Sequence, residues 1–195
     1  MKNSYSLQEM LIMIAGVSFL GFCLENIWLL LRKGYVDNRN MSLPFLLGYG
    51  LALTGFYLIL GIPEEGGYLR YFILSFAAVS VGEIVMGETV EHVCGFYYWD
   101  YTGLPLHITR YTSVPTSAGF AAIITLFMGN CFTPMMELIA VLPHTESGFA
   151  GITLLLVLTA DLVHSFAVMY HSHALNERWR ITVFERKQAA ARAAS

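Results

Sequence analysis

The chain has 195 residues, of which 56% are hydrophobic and only 13% are charged. Soluble domains usually have about 25% charged residues, so this composition excludes an ordinary soluble protein and indicates an integral membrane protein. The formal net charge of −3 does not point to nucleic acid, which has no support as a partner beyond a small basic tail.

Five apolar runs approach or exceed the roughly 20 helical residues that cross the hydrocarbon core of a bilayer. The predicted spans are residues 11–31, 43–62, 69–96, 116–142 and 148–170. The connections contain breakers such as Gly34, Pro63 and Pro105, and they are too short to hold a soluble domain. The sequence therefore predicts an all-α, polytopic membrane helix bundle over residues 1–172, followed by a basic tail over residues 173–195.

The Lys and Arg residues of the connections predict the orientation of the bundle. Nine of them lie on one predicted side of the membrane, whereas Lys2 and Arg70 lie on the other. Positive residues collect on the cytoplasmic side. We therefore expect a multi-pass protein of the cell membrane with its N-terminus outside and its C-terminus in the cytoplasm. The nine residues are Arg32, Lys33, Arg39, Arg110, Arg178, Arg180, Arg186, Lys187 and Arg192.

The tail carries apolar residues among its basic ones, namely Trp179, Ile181, Val183 and Phe184. This pattern favours a short amphipathic helix on the membrane surface, and we expect that structure for the cytoplasmic tail.

Ionisable residues inside the third span are the most informative feature of the sequence. A carboxylate at the centre of a membrane helix costs about 2.5–3.5 kcal/mol on insertion scales, yet this span has three glutamates and a histidine within ten residues. Glu83, Gly87 and Glu91 are four residues apart, so they share one stripe of the helix. Glu88 and His92 share the neighbouring stripe.

Polar residues of the first and fifth spans are predicted to reach a similar depth. Glu25 and Asn26 lie toward the cytoplasmic end of the first span, and Asp161 and His164 share one face of the fifth. These groups can meet in a cavity open to the cytoplasm. The predicted substrate or ion path comprises Glu25, Asn26, Glu83, Glu88, Glu91, His92, Asp161 and His164.

Structural explanations compete with this path for several of its members. Glu25 can lean toward water or pair with Arg39, and Glu88 and His92 can form a solvated pair near the interface. Glu83 and Asp161 are predicted to lie deeper in the membrane, and for them a role beyond packing is the favoured interpretation.

The loop after the third span places two opposite charges next to aromatic residues. Trp99 and Tyr101 are typical of the membrane–water interface, but that role explains neither Asp100 between them nor Arg110 ten residues later. We predict an Asp100–Arg110 ion pair that orders the loop as a cytoplasmic lid. The loop residues assigned to the site are Asn38, Arg39, Trp99, Asp100, Tyr101 and Arg110.

Familiar catalytic and metal-binding motifs are missing from the sequence. Glutamates and a histidine at helical spacing offer metal ligands, but the chain has neither an HExxH pattern nor a pair of Glu-x-x-His motifs. Ser113 and Ser117 lack a G-x-S-x-G turn, and without a Walker A pattern the chain is not expected to hydrolyse ATP by itself. We predict no metal and no cofactor.

The first and third spans contain the same short motif, GxxxE. Gly21-x-x-x-Glu25 parallels Gly87-x-x-x-Glu91, and both helices are predicted to run from outside to inside. Parallel repeats occur in transporters, although chance explains a single pair of such motifs equally well.

Taken together, these motifs resemble a known family. They are Gly21 to Glu25, Val36 to Arg39, Tyr49-Gly50, Glu83 to Glu91, Trp99-Asp100-Tyr101 and Arg110. Over roughly residues 21–134 the pattern resembles the family labelled putative ABC-transporter type IV, small bacterial membrane proteins often called ABC transporter permeases. This family tends to show Asn-Leu-x-Gly-Arg-Ile after the aromatic motif, whereas this chain has His107-Ile-Thr-Arg110-Tyr.

The resemblance implies a transport permease. We expect a permease-like subunit with intramembrane carboxylates, embedded in the lipid bilayer and acting as a homodimer or with a separate partner such as an ATPase. The alternative is an intramembrane enzyme that acts on a lipid or isoprenoid through Glu, Asp and His acid–base chemistry. A polar vestibule would favour transport, and a blind apolar pocket would favour the enzyme.

Overall fold

The computed structural model describes residues 5–184, except for the side chains of residues 144–147. Within this range the chain forms five helical rods and one two-stranded sheet. The elements are α1 (Leu7–Lys33), β1 (Tyr35–Asp37), α2 (Leu47–Leu60), α3 (Tyr68–Cys94), α4 (Val114–Leu126), a π-helical turn (Phe127–Cys131), α5 (Phe132–Ala140), α6 (His144–Ser172) and β2 (Arg180–Thr182). Helix α4, the π-helical turn and α5 form one continuous rod. The predicted five-helix architecture is confirmed.

Four of the rods are long and apolar enough to cross a membrane, and α2 is the exception. It has 14 residues, so at about 1.5 Å per residue it is shorter than the roughly 30 Å hydrocarbon core. The sequence predicted a longer span over residues 43–62. Its first residues belong instead to the preceding loop, where the Leu46 N–H donates to the Ser18 carbonyl at 2.9 Å.

Local sequence sets the ends of the helices that carry the polar motifs. Ser6 and Glu9 form a capping box at the start of α1, in which each side chain accepts the backbone N–H of the other residue. Gly34 and Gly95 end α1 and α3 in the left-handed conformation, with φ of 81° and 76°. The chain therefore reverses sharply at both points into the loops that hold the polar motifs.

Helix α1 lies at the centre of the bundle and packs against α2, α5 and α6, whereas α3 packs mainly against α4. Met13 of α1 and Phe132 of α5 are fully buried in the main apolar core. The Phe132 ring stacks on Tyr57 of α2 with centroids 4.8 Å apart. The helices α1 and α2 thus form one antiparallel pair, and α3 and α4 form another.

The described part of the tail is not the predicted amphipathic helix. Strand β2 pairs antiparallel with β1, with Val36 opposite Ile181, and the Arg180 guanidinium lies 4.2 Å from the Tyr35 ring centroid. Apolar and polar side chains alternate in this segment, a pattern that suits a strand once a partner strand is present. Residues 185–195 lie outside the described part of the chain.

The pairing of β1 with β2 places the first loop and the tail on the same side of the membrane, and the predicted orientation makes that side cytoplasmic. Reporter fusions after Lys33, Gly66, Gly103, Thr145 and Ser195 test this prediction. We expect alkaline phosphatase activity after Gly66 and Thr145, and fluorescent-protein signal at the other three sites. A cytoplasmic signal at Gly66 would refute the orientation.

Candidate functional site

The loop after α1 folds back onto Glu25. The Glu25 carboxylate accepts hydrogen bonds from Arg39 Nη2 at 3.0 Å and from the Tyr49 hydroxyl. Asp37 Oδ1 lies 3.6 Å from Arg39 Nη1. The side chains of Arg39 and Glu25 are only 22% and 19% exposed, so their attraction is screened less than that of a surface pair. Of the two structural alternatives for Glu25, contact with water or a pair with Arg39, the structure has the pair.

The backbone at Arg39 is strained. Arg39 and Asn40 have φ of 46° and 64°, a conformation that is uncommon for residues other than glycine and that costs about 1–3 kcal/mol where the structure enforces it. The buried Asn38 side chain anchors this turn to the tail: it donates to the Asn176 carbonyl at 2.8 Å and accepts the Arg178 N–H at 3.0 Å. Asn38 therefore positions Arg39.

The tyrosines of the aromatic loop after α3 interact electrostatically with the Glu25–Arg39 pair. Burial raises the pKa of the Tyr98 and Tyr101 phenols. The charges of Glu83 and Glu25 raise the Tyr101 pKa further, whereas Arg39 lowers it. Tyr101 therefore interacts electrostatically with all three charged groups.

Glu83 lies on α3 and contacts hydroxyl groups at the start of α4. Its Oε2 atom accepts hydrogen bonds from Thr112 Oγ1 at 2.8 Å and from Ser117 Oγ at 2.7 Å. Glu25 on α1 interacts with it electrostatically. Two carboxylates from different helices therefore approach each other, one paired with a cation and the other with two neutral hydroxyls.

A glycine, a tyrosine and a glutamate form an arrangement that we call a clamp. In the first clamp the Tyr49 ring lies directly on Gly21 of α1, where an added Cβ would be 2.5 Å from Tyr49 Cγ. The tyrosine hydroxyl then reaches Glu25, one helical turn further along α1. Only glycine allows this approach of the ring to the helix backbone.

The second clamp repeats this arrangement on α3. The Tyr111 ring lies on Gly87, where an added Cβ would be 2.3 Å from Tyr111 Cγ, and the tyrosine hydroxyl donates to Glu91. Burial, together with the bond to Glu91, raises the pKa of Tyr111 to about 12. Trp99 Nε1 donates to the Tyr111 carbonyl at 2.8 Å and joins the aromatic loop to this clamp. The two GxxxE motifs therefore have matching structural roles.

The predicted Asp100–Arg110 pair is present, with Asp100 Oδ2 at 3.9 Å from Arg110 Nε. Both side chains are open to solvent, so the pair stabilises the loop only weakly. The Arg110 guanidinium also lies 4.0 Å from the Tyr97 ring centroid, a cation–π geometry. Hydrogen bonds from Thr102 lower the pKa of Asp100, and Arg110 lowers it less. The role of this loop as a lid stays a prediction.

The polar residues of α6 have other partners. Asp161 is buried, and its two oxygens accept the N–H groups of Ser42 and Leu43 at 3.1 and 3.0 Å. His164 is exposed, with Nε2 at 2.9 Å from Arg178 Nη2. No contact among the described residues joins this pair to the carboxylates of α1 and α3. Asp161 anchors the first loop, and its assignment to the path gains no support from these contacts.

The remaining predicted residues divide between anchoring and surface positions. Asn26 Oδ1 accepts the Asp37 N–H at 2.8 Å and so ties α1 to β1. Glu88 and His92 are exposed and line an open depression of about 550 Å³ with Glu91. Within the described residues, no group of three or more His, Cys, Asp or Glu side chains lies close enough to hold a metal ion.

Sequence reasoning missed the hydroxyl donors of the site. Tyr111, Thr112 and Ser117 come from the hydroxyl-rich run YTSVPTS at the start of the fourth span. Its serines lack the G-x-S-x-G turn of a nucleophile, and this run matches no other familiar motif. Its position directly after a loop of polar motifs was the available signal.

Comparison with protein families gives a match over most of the chain. Residues 12–166 match the family described as "Putative ABC-transporter type IV". This match is longer than the resemblance noted over residues 21–134, because it includes most of α6. Neither the curated proteins nor the solved structures contain a significant match.

Proposed function

Since the chain belongs to the putative ABC-transporter type IV family, we propose that it is a permease-like subunit of a transport system in the cell membrane. The four long apolar spans make it a membrane protein of a transport-related family. One observation carries the proposal further. Glu25 on α1 is paired with a mostly buried cation, Arg39, and interacts electrostatically with Glu83 on α3, so carboxylates from two different helices belong to one electrostatic site.

The charge of this site favours a cationic solute or ion. Glu25, Asp37 and Glu83 supply three acidic groups, and Arg39 supplies one positive charge. Acidic groups within a membrane that outnumber their cations attract positive charge from the adjoining solution. Tyr101 of the aromatic loop interacts electrostatically with both helix carboxylates and with Arg39. We therefore assign Glu25, Glu83, Arg39 and Tyr101 to the path.

A second subunit is part of this proposal. The sequence has no Walker A pattern, so energy from ATP requires another chain. Helix α3 is the least buried of the four long spans, and its exposed side carries Glu88 and His92. We propose that a second copy or a separate subunit such as an ATPase covers this side.

Glu25→Gln tests the path. We expect purified wild-type protein in lipid vesicles to exchange radiolabelled rubidium, tetraethylammonium or a polyamine, with or without an ATPase encoded nearby. Glu25→Gln should lower the exchange rate at least tenfold, because a lost charged hydrogen bond is worth about 1.5–3 kcal/mol. Glu137→Gln, on the exposed face of α5, is the matched control and should leave the rate unchanged.

Two outcomes would contradict the proposal. The first is that none of these cations moves under either condition. The second is that both variants exchange cations at the wild-type rate. A changed lipid composition in cells that lack the protein, with no transport in vesicles, would favour the intramembrane enzyme instead.

A further inference from the structure

Glu83, Thr112 and Ser117 form a nearly equilateral triangle of oxygen atoms. Glu83 Oε2 lies 2.8 Å from Thr112 Oγ1 and 2.7 Å from Ser117 Oγ, and the two hydroxyl oxygens are 2.8 Å apart. All three separations are typical of O–H···O hydrogen bonds. Thr112 and Ser117 have 0% exposure, so their hydroxyls find their partners inside the protein.

The number of hydrogen atoms in this triangle depends on the protonation of Glu83. Each hydroxyl donates one hydrogen, and an ionised carboxylate donates none. When Glu83 is ionised, two hydrogens serve three contacts, and lone pairs of two oxygens face each other at hydrogen-bond distance. When Oε2 carries a proton, three hydrogens serve three contacts, and each oxygen donates once and accepts once around the ring.

We propose that Glu83, Thr112 and Ser117 form a proton-binding site within the bundle, and that Glu83 is the neutral acid in this conformation. Two physical terms favour the bound proton. An unpaired carboxylate anion is costly in an apolar environment, and a closed ring of hydrogen bonds strengthens each of its members. When the proton leaves Oε2, both hydroxyls donate to the anion and the Thr112–Ser117 contact must lengthen. The site therefore has two states that differ by one proton and one hydrogen bond.

The charged and titratable groups around Glu83 come from three other elements. Glu25 of α1 interacts with it electrostatically, and Tyr101 of the aromatic loop interacts with both glutamates and with Arg39 of the first loop. The negative charge of Glu25 opposes a second negative charge on Glu83. A cation that enters beside Glu25 would oppose that repulsion and favour release of the proton.

The coupling of the proton to transport rests on the proposed permease function. In that case, entry of a cationic solute and release of the Glu83 proton are linked, and each lowers the affinity of the site for the other. When a monovalent cation replaces the proton, the net charge of the site does not change. The proton site itself does not depend on this use.

Infrared difference spectroscopy of the full-length protein in lipid vesicles tests the site. A protonated carboxylic acid has a carbonyl stretching band that shifts when water is exchanged for heavy water. We expect this band in the wild type at neutral pH. Glu83→Gln should remove it, and Glu137→Gln should retain it. Thr112→Val keeps the volume of the side chain but opens the ring, so it should retain the acid and move the band.

The comparison stays decisive if Glu83→Gln fails to fold, because Thr112→Val and its control Thr89→Val, on the exposed side of α3, report on the same band. A wild type without a deuterium-sensitive acid band would overturn the proposal. So would a band that neither Glu83→Gln nor Thr112→Val alters. If the acid band is absent but cations still exchange in vesicles, the proton-site proposal fails and the permease proposal stands. If the band is present but no cation exchanges, only the permease proposal fails.

Discussion

Gly87→Ala is expected to destabilise the protein by about 1–3 kcal/mol, the usual cost of overpacking a tight contact. The added methyl group would lie 2.3 Å from Cγ and Cδ1 of Tyr111 and 2.8 Å from its Cβ. These atoms are close to the tyrosine backbone, so the ring cannot turn away unless α3 and the start of α4 separate. That separation would also break the bond from the tyrosine hydroxyl to Glu91. The measurement is the free energy of unfolding in mixed micelles.

Gly82→Ala is the matched control on the same helix, since nothing lies within 4 Å of a Cβ at that position. Because alanine favours helix over glycine by about 0.8–1.0 kcal/mol, this variant should be neutral or slightly more stable. The pair Gly21→Ala and Gly16→Ala repeats the comparison on α1, where only the first would meet a tyrosine ring. Equal stability of all four variants would show that the clamps are loose contacts.

The number and order of the helices could be predicted from the sequence because long apolar runs and their breakers are local signals. The Asp100–Arg110 pair could also be predicted, since it joins opposite charges near the ends of predicted spans, whereas Glu25–Arg39 was one of two alternatives that the sequence left open. The β1–β2 pairing could not. Its alternating side chains are only a few residues long, and the partner strand lies more than a hundred residues away in the chain.

The inner part of the site was harder to predict for another physical reason. Thr112, just before α4, and Ser117, in its first turn, are ordinary residues for the start of a helix, and they become hydrogen-bond partners of Glu83 only through the close packing of α4 on α3. Asp161 shows the opposite problem. A buried carboxylate suggested a path, but its partners are backbone N–H groups of a distant loop, and sequence patterns carry no record of such partners.

The two clamps differ in how their glutamates are neutralised. Glu25 of the first clamp has Arg39 as an ion-pair partner, whereas Glu91 of the second borders the open depression on α3 together with His92. The helix pairs α1–α2 and α3–α4 therefore share one scaffold but present different charges. Both glutamates are partly buried, but Glu25 is paired with a cation, whereas Glu91 has an open side on the surface that we assign to a second subunit.

Arg39→Gln should have the larger electrostatic effect on stability, because it leaves Glu25 and Asp37 without their cation in a mostly buried position. Removing one member of a fully buried pair costs about 3–5 kcal/mol. The residual exposure of about a fifth at this pair lowers our expectation to about 2–3 kcal/mol. The double variant Glu25→Gln/Arg39→Gln should recover part of this loss in a double-mutant cycle of unfolding free energies.

Arg180→Gln is the control: its pair with Glu177 is short, at 2.6 Å, but 44% and 40% exposed, so we expect a change below about 1 kcal/mol. If Arg39→Gln proves as mild as Arg180→Gln, the Glu25–Arg39 pair is no stronger than a surface ion pair, and the first loop must be held by its other anchors, the contacts of Asn26, Asn38 and Asp161.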